Sequence, residues 1–360
     1  MSANAAGDGA KRLGEKLMAE VEVEDLASIF KALREGHCPS TFSNIPELDT
    51  LIASSTPPIV ELVSPPATHH ASGAGKTSLL YLIIAHAILP RSPTLSGHNA
   101  AIILFDPLSH FSVPRLAQVM CSLVRASSHR GAPSRSDMQA LVSTSLQHVH
   151  VFRPPSWPAL LSTLHALPDY LFTADKHQSM QRRIHSLVLD DVDAFSSSLR
   201  RDPILPTLGI ETQNSSLHPP PSSSSCLEIH FTPLTTASAQ LAALIARLTS
   251  LFSCGALLAS RSRSPDAFRP VLPSFWPRHV SATRLAVRRV RVLPFAAGLS
   301  VDEAEAERGQ RWEVVRRGRF EVSRVGKERG GGGGGGEGFV FRVGDFGVEV
   351  EKHEGEREHK

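Results

Sequence analysis

The sequence predicts an α/β fold, a mostly parallel sheet flanked by helices with antiparallel strands at its C-terminal end. Three observations carry that prediction. Short aliphatic runs alternate with stretches of helical periodicity over residues 59–260. The runs at 100–105 and 186–189 are apolar enough to be buried strands, and each ends in aspartate. From residue 282 onward, short strand-like runs follow one another around Gly-containing turns, as hairpins that would extend the sheet.

The elements follow in chain order. Leu13, Leu17 and Val21, then Leu26, Ile29, Phe30 and Leu33, mark the apolar face of a helix over residues 12–35, in one piece or broken near Val23. Residues 45–49 read as a short turn-helix and 59–63 as a β-branched strand. Residues 64–72, rich in Pro and His, read as loop. A strongly apolar helix follows over 77–89 and stops at Pro90. Helices are also expected at 114–126, 137–147, 157–167 and 235–252, with strands at 100–105, 148–152, 186–189, 256–259 and 282–293. Residues 312–315 and 319–323 look like a hairpin around Arg317-Gly318, followed by strands at 339–343 and 347–350. The organisation expected is a helical extension (1–39), a core (40–350) and a disordered charged tail (351–360). The core carries a Ser/Pro-rich insertion (196–227) and a Gly-rich loop (329–338).

Bulk composition narrows the class. The 360 residues are 41% hydrophobic and 20% charged, enough for a globular core, while the aromatic share of 6% is low. A formal charge of +3 is too mild by itself to imply nucleic acid. Cys38, Cys121, Cys226 and Cys254 are far apart and lack the C-x-x-C spacing of a zinc or redox site, so reduced thiols are expected. The first ten residues lack the apolar stretch of a signal peptide, and no run is long enough to span a bilayer. A soluble, intracellular chain with no membrane partner is the expectation.

The strongest chemical motif is Gly73-Ala74-Gly75-Lys76-Thr77-Ser78. A strand that delivers the chain, glycines that let N–H groups converge and a helix N-terminus together make a cradle for phosphate. Lys76 would reach the β/γ phosphates of ATP, and the Thr77 hydroxyl would hold Mg²⁺. The full pattern has an earlier glycine where this chain has His70. The plainer reading is a glycine turn before a helix, with Lys and Thr there by chance. A second acid is expected at the end of another strand, and Leu187-Val188-Leu189-Asp190 supplies it, with Asp191 and Asp193 as neighbours.

These residues resemble the RecA-like recombinases. Residues 41–49 are similar to the segment that enters the recombinase core, and 59–63 with 72–78 to the first strand and phosphate loop. Residues 102–106 with His110-Phe111 and Arg115-Leu116 resemble the next strand and helix, and 187–190 with Ala194-Phe195 the later acidic strand. Thr283-Arg284-Leu285 and then Arg317-Gly318-Arg319-Phe320 are similar to the end of that core. The likeness is to eukaryotic recombinase paralogues of the short type, without a separate N-terminal DNA-binding domain. It implies a RecA-like P-loop NTPase fold and a nuclear role in homologous-recombination repair of double-strand breaks. It also implies partners among other recombinase paralogues or the recombinase itself. Two DNA-proximal loops would fall at 196–227 and 261–279. The position of the water-activating Glu of active recombinases is Leu108, which cannot polarise water, and the polar sensor, Asn or Gln, is missing where the run reads Ala259-Ser260-Arg261. No base then remains unless Asp106 or Asp191 substitutes, and weak or absent hydrolysis is expected.

Basic residues crowd the second of these loops. Arg261, Arg263, Arg269 and Arg278 are candidate contacts for single-stranded or branched DNA, with Phe268, Phe275 and Trp276 as stacking partners. The same surface suits an acidic partner, and residues 287–291 also fit an edge strand protected by charge. His110 reads as a helix-start residue. The competing reading for the whole chain is a free-standing P-loop NTPase or small-molecule kinase.

Overall fold

The central strands of the sheet in this protein are largely apolar on both faces. In β1 (Ile59–Ser64), Val60 and Leu62 face one side, while Ile59 and Val63 face the other. β2 (Ala101–Phe105) repeats the pattern with Ile102 and Leu104 against Ile103 and Phe105. Period-2 alternation with no polar face requires helices on both sides, and helices are there. The computed structural model describes residues 41–351 apart from 53–57, 67–73, 93–94, 128–133, 202–232, 265–266, 274, 291–297, 299, 327–337 and 346. The helix expected over 12–35, most of the 196–227 insertion, the glycine run and the charged tail lie outside the described residues. All those described belong to one compact unit, Thr41–Lys360.

Nine strands among the described residues form one sheet in the order β3-β2-β4-β5-β1-β6-β7-β8-β9. Besides β1 and β2, these are β3 (Val149–Phe152), β4 (Ile184–Leu189), β5 (Gly255–Arg261), β6 (Ala282–Arg289), β7 (Arg319–Arg324), β8 (Gly338–Val343) and β9 (Val348–Glu351). The first six in spatial order pair in parallel, and β7, β8 and β9 add antiparallel.

On one face lie α1 (Pro46–Ile52), α2 (Lys76–Ile88), α3 (Val113–Ser127) and α4 (Arg135–Leu146). α2 is apolar nearly all round because it is buried nearly all round, under α3 and over the sheet. α3 instead buries one stripe, Leu116, Val119, Met120 and Val124, at helical spacing. The other face holds α5 (Trp157–Leu171), α6 (Ser196–Arg201) and α7 (Pro233–Phe252). Ser156 caps α5 by accepting from the Ala159 N–H, and Leu160, Leu164, Leu167 and Leu171 form its buried stripe.

Two expectations are corrected. Residues 312–315 are not a strand of a hairpin but the last turns of α8 (Val301–Arg316). Ser300 and Glu303 form a reciprocal capping box at its start, and Glu307 pairs with Arg311 one turn apart. The true hairpin joins β7 to β8, across the Gly-rich segment. Gly318 lies at φ +58°, where a Cβ would meet the Val343 carbonyl oxygen at 2.6 Å, so it starts β7 without beginning a tight hairpin. Nor do residues 287–290 of the run at 287–291 belong to an edge strand; residue 291 lies outside the described residues. β6 ends at Arg289 and lies between β1 and β7, and its arginines bond to neighbouring elements. Arg288 pairs with Glu321 across to β7, and Arg289 donates to the Val315 carbonyl.

Arg284 of β6 reaches Glu61, the one charged side chain in β1. Glu61 is 1% exposed and accepts from Arg284 Nε at 2.7 Å and from the Trp276 indole N–H at 2.7 Å. A carboxylate in such a place is tolerable only because both oxygens are bonded.

Buried histidines line two parts of the core. His185 stacks on Phe42 and lies beside His98, and its Nε2 is bonded to the Phe42 carbonyl. His150 bonds Tyr170 and Ser179, and His148 shares the Ser179 hydroxyl. Burial holds His86, His98 and His150 down to about 4 and His185 down to about 3. These groups are neutral when folded and take protons once unfolded, so they stabilise the fold above their ordinary value of 6.5. That stabilisation is lost as pH falls from there through about 4. At about 1.4 kcal/mol per pKa unit, several kcal/mol should vanish across that window, partly offset by Asp190, whose pKa is raised. Urea midpoints taken at intervals down that range should therefore fall steeply, and a flat profile would contradict the histidine assignment.

Candidate functional site

β1 delivers the chain to the carboxyl edge of the sheet, and α2 starts at Lys76. Gly75, the residue before the helix, has φ +87°. A Cβ there would lie 2.8 Å from the Phe320 ring and 3.0 Å from Phe341, so only glycine fits between the loop and the aromatic pair of β7 and β8. Gly75 gives no side-chain cap, and the first turn of α2 contains no acid. The first bond of the helix runs from the Leu79 N–H to the Gly75 carbonyl. The N–H groups of Lys76, Thr77 and Ser78 therefore have no acceptor within the helix. With the helix dipole they form an anion-seeking end. Ala74 is described beside them; Gly73 and His70 lie outside the described residues.

Two contacts join this loop to the rest of the edge. The Lys76 ammonium donates to Ser64 Oγ, at the end of β1, at 2.7 Å. The Thr77 hydroxyl donates to Asp190 Oδ2 at 3.0 Å across a separation of 113 residues. β4 carries Asp190 to that position from two strands away, with β5 between it and β1. The two key charges are both pushed toward neutrality. Burial lowers Lys76, against the opposing pull of Asp191, Asp190 and Asp193. Burial, with Asp191 second, raises Asp190 to about 6. At this edge, Asp190 Oδ1, Asp193 Oδ1 and Ser260 Oγ are buried and without a hydrogen-bond partner among the described residues. Unsatisfied buried carboxylate oxygens are costly, and a cation is the kind of group that would satisfy them.

Beside this lies a second constellation. The carboxylate of Asp106, at the end of β2, accepts from the His110 N–H at 2.9 Å and the Phe111 N–H at 3.1 Å, with Arg153 at 3.5 Å. The turn it organises puts Ser109 at φ +57° and leaves Leu108 exposed. His110 Nδ1 then meets Asp191 Oδ2 at 2.9 Å. Asp191 has φ +55°, a left-handed conformation right after Asp190. By its local sequence His110 reads as a helix-start residue. No local signal pairs it with a residue 81 positions away.

The basic segment is only partly assembled. Arg261 ends β5 opposite Ser64, at the same edge as Lys76 and Asp190. Ser262 bridges to Pro270 and its hydroxyl accepts from the Arg269 N–H, which brings Arg269 back to that edge with Arg263. All three are exposed. Arg278, also exposed, lies apart: it comes just before β6, whose first residue pairs with Ile59 at the other end of β1. The stacking partners are mostly lost. Phe268 is buried against Val63 and Ala286, and the Trp276 indole is bonded to Glu61; Phe275 alone of the three is exposed. Of the 196–227 loop, residues Ser196–Arg201 form α6.

Among the described residues no helix is long and apolar enough to cross a membrane. No family model matches the chain, and a search of characterised proteins finds none similar to it. What the geometry itself defines is an α/β sheet whose carboxyl edge gathers a free helix N-terminus, a buried lysine and a hydroxyl–carboxylate pair. The donor set fits a phosphate chain with a divalent cation: ammonium and N–H groups for the anion, hard oxygens for the cation.

Proposed function

We propose that this protein is an ATP-binding subunit of a recombinase-paralogue complex in homologous-recombination repair, with weak or absent hydrolysis. The contact that carries the nucleotide part is Thr77 to Asp190, because it joins a phosphate-type loop to an acid from a distant strand. Mg²⁺ would be held by the Thr77 hydroxyl and Asp190. Phosphate oxygens would be held by Lys76 and the N–H groups of residues 75–78. Bound Mg²⁺ would supply charge neutralisation between the phosphates.

The recombination part is supported by the spread of the resemblance, in scattered short motifs, over roughly residues 40–350. The exposed arginines beside the nucleotide edge suit a DNA backbone that other paralogues or the recombinase also contact, in the nucleus. Slow turnover follows from an exposed, apolar Leu108 and from the bonds that already occupy Asp106.

Titration with a fluorescent ATP analogue and Mg²⁺ tests the first part. Lys76→Ala should weaken binding about 10- to 100-fold, the value of one charge-assisted hydrogen bond. Unchanged affinity would end the nucleotide reading. Affinity purification from nuclear extract tests the second part, with recombination proteins as the expected partners. Turnover stimulated by a small acceptor and not by DNA would favour a kinase instead.

A further inference from the structure

Four acids and one imidazole crowd the carboxyl edge of β2 and β4, and their bonds leave few free to act. Both oxygens of Asp106 accept backbone N–H groups. Asp190 is buried against Thr77, and Asp193 has a buried oxygen with no donor among the described residues. Asp191 is held by His110. The imidazole differs from the rest. Its side chain is 52% exposed, its Nδ1 is fixed by a carboxylate, and its Nε2 has no partner among the described residues.

A carboxylate can only accept, so Asp191 selects the tautomer with hydrogen on Nδ1 and the lone pair on Nε2. The aspartate–histidine half of a hydrolytic triad uses this arrangement, in which the acid orients the ring and stabilises its protonated form. The backbone enforces it from both sides. Asp106 grips the His110 N–H, and Asp191 takes a left-handed conformation immediately after the residue that bonds Thr77. The ring is thus bonded to the neighbour of the acid that would share the cation.

The geometry points to His110 as the group that accepts the proton of the water attacking the terminal phosphate of bound ATP, with Asp191 as its positioning residue. This rests on the nucleotide-binding reading and names what its residual turnover depends on. Water oxygen forms a bond to the terminal phosphorus as the bond from that phosphorus to the bridging oxygen breaks. The bridging oxygen leaves with the electron pair on ADP. The water proton passes to His110 Nε2, giving an imidazolium beside Asp191, and is then released to solvent.

Ethoxyformylation by diethyl pyrocarbonate, read per peptide by mass spectrometry, tests this without turnover. A non-hydrolysable ATP analogue with Mg²⁺ should slow modification of His110 by about fivefold or more, as expected for a ring near the bound phosphates. Exposed His165 and His279 serve as references that should not change. In parallel, His110→Gln should lower ATP turnover about 10²-fold while analogue affinity stays within about threefold. His110 reactivity indifferent to bound nucleotide would overturn the proposal. So would a glutamine variant as fast as the parent, or a parent no faster than Lys76→Ala. If the analogue does not bind at all, the nucleotide reading falls too; binding without protection removes His110 alone.

Discussion

Replacing Asp190 by asparagine should make the protein more stable while abolishing the proposed binding of Mg²⁺–nucleotide. The two effects have one cause. Asp190 is buried, and burial together with Asp191 raises its pKa from 3.8 to about 6. A group with a raised folded-state pKa contributes fully below its unfolded value, and that contribution is lost as pH rises through the folded value. At pH 7 the ionised carboxylate therefore opposes folding by about 3 kcal/mol. Asparagine removes the charge and keeps an oxygen to accept the Thr77 hydroxyl. The melting temperature should rise by several degrees at pH 7, and the difference should disappear by about pH 4. The same substitution removes a hard anionic oxygen from the proposed cation site, so the proposed Mg²⁺-dependent nucleotide binding should fall about 100-fold or more. Thermal melts and titrations on one pair of proteins check both. A variant less stable than its parent at pH 7 would show that Asp190 is structural and not held ready for a cation.

Glu61→Ala should do the reverse, with a loss of about 3–5 kcal/mol of stability and no route to function at all. Glu61 lies in the middle of β1 and closes bonds to Arg284 of β6 and to Trp276 of the segment before it. Truncation takes their buried acceptor from a partly buried guanidinium and an indole N–H. Glu61→Gln should cost less, since an amide oxygen can still accept one of the two. Denaturant unfolding of the two variants against the parent measures this, and a cost under about 1 kcal/mol for alanine would mean that water enters the site.

Much of this protein could be read from local pattern. The apolar run at 59–63, the all-round apolar helix from Lys76 and the acid-ended run to Asp190 are each encoded within a dozen neighbours. The errors have a common origin. Residues 312–315 contain Trp and Val and resemble a strand, yet Ser300 and Glu303 form a capping box far upstream, and helix propagation from there decides the state. The arginine-rich run at 287–291 suggested an exposed edge. Yet Arg288 finds its acidic partner, Glu321, on the next strand, as Arg284 earlier in β6 finds Glu61, so these charges are paired between neighbouring strands. Trp276 and Phe268 looked available for stacking until tertiary packing placed them against Glu61 and Val63.

The sequence by itself determined the alternation of strands and helices and the residue types of the phosphate-type loop, since periodicity and short motifs are local properties of a chain. Only the tertiary structure decided which acids meet that loop. Thr77 and Asp190, and His110 and Asp191, are neighbours because the order of the sheet sets β4 two strands from β1 and beside β2. Strand order is chosen by burial of both sheet faces at once, a collective energy that no single segment carries.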